Sequence, residues 1–143
     1  MCKTNHLVRE ATVKRTIASA EEMGKYLLDL FSPFEQFEQE EVWVFLFNAR
    51  VQLTYEVCLY RGTINAALVR PAEVFREAIR LSAYSIMVAH NHPSQDPSPS
   101  DEDWDIYHRL RKAGELLGIE VNDAFVVGKH SWVSMRAMSS TPV

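Results

Sequence analysis

Cysteine is nearly missing. Cys2 and Cys58 are the only two in 143 residues, and they form no C-x-x-C pair. That excludes a disulfide framework and a cysteine-built zinc site, and it fits a reducing compartment. Long apolar runs are missing too: nothing approaches the roughly 18 consecutive apolar residues that a membrane-spanning helix needs. The first residues, MCKTNHLVREATVKRTI, lack the apolar stretch of a secretory signal, so a cytoplasmic location is expected. Basic charge is not in excess. Fifteen Lys and Arg stand against 19 Asp and Glu, a formal charge of −4, which argues against a dedicated nucleic-acid surface.

What is present suits one globular domain: 47% of the residues are hydrophobic, enough for a core, and there is no internal repeat or interdomain linker. Residues 1–17 are mixed and polar and read as a partly ordered lead-in. SAEEMGKYLLDLF has a helical pattern, with Ser19 as cap, Glu22 three residues on, and Pro33 as punctuation. VWVFLF (residues 42–47) is a continuous apolar run, expected as a strand buried on both faces. LTYEVCLY (residues 53–60) is its expected hairpin partner. Pro71 opens a helix with Val74, Phe75, Ala78, Ile79 and Ser82 on one stripe. YSIMVA (residues 84–89) is a third strand. A long helix starts at Ser100, carries Trp104, Tyr107, Leu110 and Leu117, and stops at Gly118. Short strands at IEV, AFVVG and SWVSM complete an α/β fold, a mixed β-sheet flanked by helices.

The chemistry concentrates in VAHNHPSQDPSPSDED, from Val88 to Asp103. In an extended segment alternate side chains share a face, so His90 and His92 can reach one metal ion while Asn91 faces away. Pro93, Pro97 and Pro99 restrict the loop that follows. Ser100 and Asp103 fall in the first helical turn, where the aspartate can point back to the strand end. Two imidazoles and one carboxylate leave a fourth position open, as in catalytic rather than structural zinc sites. Each half has a plainer reading: a polar strand terminus for the histidines, a capping box for Ser100 and Asp103. The joint pattern H-x-H-P-x7-S-x-x-D is much less readily met by chance. Zincins require H-E-x-x-H, which is absent, and zinc nucleobase deaminases require H-x-E with P-C-x-x-C. His92 occupies the place of that glutamate.

The joint pattern resembles the JAMM (MPN+) metalloprotease motif. Together with EVFREAI, RGTIN and GIEVNDAFVVG, it resembles the JAB domain of the RadC family, whose members have been labelled DNA repair proteins. The resemblance spans roughly residues 16–136. It implies a cytidine-deaminase-like α–β–α sandwich (the JAB/MPN fold), with residues 1–17 as lead-in, 18–136 as the domain and 137–143 as a tail. It implies Zn²⁺ on His90, His92 and Asp103, oxyanion support from Ser100, and a glutamate general base at the start of a strand. Counting eight residues back from Asn48 gives Glu40 for that base; Glu41 would point to the opposite face. The activity implied is hydrolysis of an amide or isopeptide bond in a peptide or isopeptide substrate. The alternatives are a non-catalytic MPN-type scaffold and an accessory protein in DNA repair. A homodimer stays open. The 143 residues leave no room for the helix-hairpin-helix segment of full-length RadC proteins, which makes nucleic acid a doubtful partner. Gln95, Ala72 and Ala124 depart from the family's usual glycine, arginine and histidine. Trp43, Trp104 and Trp132 read as core aromatics and Cys58 as an inert buried thiol.

Overall fold

Apolar residues in unbroken succession need cover on two sides, and the strand they form here has it. The computed structural model describes residues 7–31, 39–62, 69–94 and 96–139. Strand β1 (Leu7–Thr16) is followed by helix α1 (Ala20–Phe31), then by β2 (Glu40–Phe47) and β3 (Gln52–Gly62). Along β2, Val42, Val44 and Leu46 enter one hydrophobic core, while Trp43, Phe45 and Phe47 enter the other. Asn48 closes the hairpin to β3: its Oδ1 accepts from the backbone of Arg50 (2.9 Å) and of Gln52 (3.0 Å).

Helix α2 (Pro71–Arg80) leads to β4 (Ser85–Asn91), which pairs antiparallel with β2. Helix α3 (Asp101–Leu117) is the crossover to β5 (Glu120–Val127), parallel to β4. β6 (Trp132–Ser134) and the short α4 (Met135–Met138) finish the chain. The sheet order is β1-β3-β2-β4-β5-β6. Helix α1 covers one face through Met23, Leu27 and Phe31; α2 and α3 cover the other through Val74, Phe75, Ala78, Tyr107 and Leu110. The result is the expected mixed sheet between helices. Among the described residues, no helix is long and apolar enough to cross a membrane.

Several local expectations need correction. Residues 7–16, read as lead-in, form edge strand β1 against β3, with a register shift between Glu10 and Arg15. An edge strand tolerates polar residues, so its sequence looks like a tail; Arg9 reaches back to Glu56. IEV and AFVVG are one strand, because Asp123 between them is buried with hydrogen-bond partners. Ile79 and Leu117 are 55% and 49% exposed, off the packed stripes, and Ser82 lies beyond α2 with φ 54. Pro33, Gln95 and the Thr63–Asn65 part of RGTIN lie outside the described residues.

Candidate metal centre

The two histidines arrive at the same place because β4 keeps its pleat to the end. Val42 pairs with His90 across the β2–β4 ladder, and the His92 amide continues the β4–β5 pairing by donating to the Val127 carbonyl at 3.0 Å. Both rings therefore face the α3 side of the sheet. The start of α3 supplies the third group. Ser100 caps it: its Oγ accepts from the Asp103 amide at 3.1 Å, while Asp103 Oδ2 accepts from the Ser100 amide at 2.8 Å. That reciprocal box turns the carboxylate back toward the histidines. The capping reading of Ser100 and Asp103 is thus compatible with a ligand role for Asp103.

Asp103 Oδ1 lies 3.0 Å from His90 Nε2, and Asp103 Oδ2 lies 3.0 Å from His92 Nε2. The two Nε2 atoms are 3.2 Å apart. A tetrahedral zinc ion with bonds of about 2.0–2.1 Å separates its ligand atoms by about 3.3–3.4 Å. The cluster already approaches that spacing, and all three residues are only partly buried, so one side stays open. The other ring nitrogen of His92, Nδ1, sits 2.9 Å from the Asp96 carbonyl oxygen, which fixes the ring with Nε2 toward the cluster.

Protons are shared accordingly. The hydrogen bond with Asp103 raises the pKa of His92 against the opposing effect of burial. Burial pushes Asp103 up, but the bonds to His90 and His92 outweigh it and hold the carboxyl well below the usual range.

Glu40 lines the same cavity as the three residues and Ser100. Its pKa is raised by burial, against the pull of His90 and His92. Glu41 takes the opposite face: it is 4% exposed, accepts from Trp43 Nε1 at 3.0 Å and from Arg61 Nε at 2.5 Å. The strand register separates the two glutamates as expected.

Asn91, between the histidines, also faces that side, and its role was not read from the sequence. Its Oδ1 accepts from the Glu41 amide at 2.7 Å, and its Nδ2 donates to the Gln39 carbonyl at 2.9 Å. It clamps the backbone on both sides of Glu40. The signal was available, since alternation puts Asn91 and Glu41 on one face. Of the aromatic residues, Trp43 is buried, Trp132 packs on Phe125, and Trp104 stacks on His108 beside the site. Cys58 is 7% exposed within the core.

The profile of the RadC-like JAB domain matches residues 17–140. This chain belongs to that family. Similar proteins include a UPF0758 protein of Halalkalibacterium halodurans, 37% identical over 136 residues, covering 90% of this chain and 59% of the relative. UPF0758 proteins of Carboxydothermus hydrogenoformans (44% identical, 70% of this chain and 44% of the relative) and Symbiobacterium thermophilum (50% identical, 68% and 42%) also match. The chain spans about half the length of these relatives. Among the described residues, His90, His92 and Asp103 form a group that could hold a metal ion.

Proposed function

We propose that this chain is a zinc-dependent hydrolase of the JAMM type, cleaving an amide or isopeptide bond. The observation that carries the reading is the convergence of His90, His92 and Asp103 in a cavity that Glu40 and Ser100 also line. The donor set, two imidazoles and a carboxylate with an open side, fits a catalytic zinc ion. Such an ion supplies Lewis acidity, polarising a carbonyl and lowering the pKa of a coordinated water toward about 7.

The protein's own groups do the rest. Glu40, which lines the same cavity, accepts the proton of the attacking water. It then delivers that proton to the departing nitrogen. Ser100 Oγ accepts from the helix amide, which leaves its own hydrogen to donate to the carbonyl oxygen as negative charge gathers there. Asn91 holds the Glu40 backbone against the strand that carries the histidines.

The deciding experiment is metal content by elemental analysis of the purified protein and of His92→Ala and Asp103→Ala. About one zinc per chain, lost in both variants, is expected. Glu40→Gln should keep the metal and lose at least about 10²-fold in amide hydrolysis. No metal uptake at neutral pH with zinc in excess overturns the hydrolase reading in favour of an interaction scaffold.

A further inference from the structure

The cavity does not end at the metal-ligating residues. It also takes in apolar residues of α3 and the sheet, and as a whole, the space beside the candidate metal ligands included, it has a volume of about 180 Å³. Glu40, His90, His92, Ser100 and Asp103 supply polar lining. Much of the remaining wall is carbon: Val42 and Val88 from the sheet, Ile106 and Leu110 from α3, Ala124 from β5 and Met135 from α4. Tyr107 also lines it, but its hydroxyl is engaged by Ser139. Val42, Val88 and Ala124 keep 7%, 7% and 5% exposure on central strands, whereas Val44 and Leu46 beside them keep 1% and 0%. Ala124 presents only a methyl group to the cavity.

A water molecule needs two to four polar partners to be held, and the aliphatic side chains of that wall supply none. A charged or amide side chain would be buried there without partners, at considerable cost. We propose that the carbon-lined part of this cavity is the substrate's side-chain pocket and that it takes a branched aliphatic side chain of about leucine size, next to the bond that is cleaved. The proposal rests on the hydrolase reading for its location beside the reacting centre. The pocket itself does not need the metal.

The test uses the full chain, with and without zinc, and two probes. 3-Methylbutanamide stands in for a leucine side chain on an amide, and acetamide is the control. Binding is followed by methyl NMR. In the parent protein, 3-methylbutanamide should shift the methyl signals of Val88, Leu110 and Met135 and bind at least about tenfold more tightly than acetamide, as three extra buried carbons require. Ala124→Leu fills the pocket, and Val88→Ile narrows the wall by one carbon. Either variant that retains a dispersed spectrum should lose the preference. Equal affinity for the two probes, shifts confined to other regions, or a preference that survives both substitutions would overturn the proposal. Preferential binding by a protein that takes up no zinc would support the pocket while removing the hydrolase reading. Zinc uptake without aliphatic preference would do the reverse.

Discussion

At the scale of single residues, the polar groups that matter most are buried ones with every partner in place. Asn91 is 3% exposed and connects the Gln39 carbonyl with the Glu41 amide at the start of β2. Replacing it by alanine leaves the Glu41 amide and the Gln39 carbonyl without their partner. The expected loss of stability is about 1–3 kcal/mol by chemical denaturation, with metal content unchanged because neither histidine nor Asp103 depends on it. Loss of the metal in Asn91→Ala would contradict that separation of roles. Asp123 makes a second such site: its carboxylate accepts from the Ser134 hydroxyl at 2.6 Å and from the backbone amides of Ala124 (2.7 Å) and Arg136 (3.0 Å). Burial nevertheless outweighs these donors and raises its pKa above the ordinary 3.8. A raised native pKa means that the folded state holds the proton more tightly. Its contribution is therefore fully present below about pH 3.8 and is lost as pH rises through the native value. Asp123→Asn, which keeps the acceptor for both amides, should not show this decline. Melting temperatures of the two proteins across the acidic range will diverge if the sign is right and run parallel if it is wrong.

At the scale of elements, the placement of α3 decides the site, because α3 brings Asp103 to the histidines. Its packing has little slack. A Cβ added to Gly114 would fall 2.4 Å from the Ile119 carbonyl oxygen, a backbone atom that cannot swing aside. Gly114→Ala should displace the helix from the start of β5 and cost about 1–3 kcal/mol, although alanine is the better helix former. An unchanged or raised melting temperature would refute this. Much of α3 was legible in the sequence because its signals are local: Ser100 and Asp103 at the start, and Gly118 with φ 73 at the end. The buried β2 and the alternation that places His90 and His92 together were legible for the same reason. β1 was not, since an edge strand needs neither an unbroken apolar run nor a clean alternation to pair on one side. The cavity was not legible either. Ala124, Leu110 and Met135 lie on three elements, and no spacing along the chain announces that a small residue on one faces a gap between the others.

At the scale of the whole molecule, the candidate metal centre ties the end of β4 to the start of α3, two segments separated by the proline-rich loop. A cation held by both stabilises the native state alone, and at a free concentration 100 times its dissociation constant the gain is about 2.7 kcal/mol. The pH dependence of that gain follows from His92. Its pKa is raised in the metal-free fold by the bond with Asp103. In that form its contribution is fully present below about pH 6.5 and is lost as pH rises through the native value. The metal has the opposite preference, because it must displace the proton from the imidazole it binds. Raising the pH therefore weakens the metal-free pairing while strengthening metal binding. The difference in melting temperature between zinc-loaded and zinc-free protein should widen steadily from about pH 5.5 to about pH 7.5. In His92→Ala that difference should collapse across the whole range. A gap that is constant with pH in the parent protein, or one that persists in His92→Ala, would place the bound zinc somewhere other than between β4 and α3.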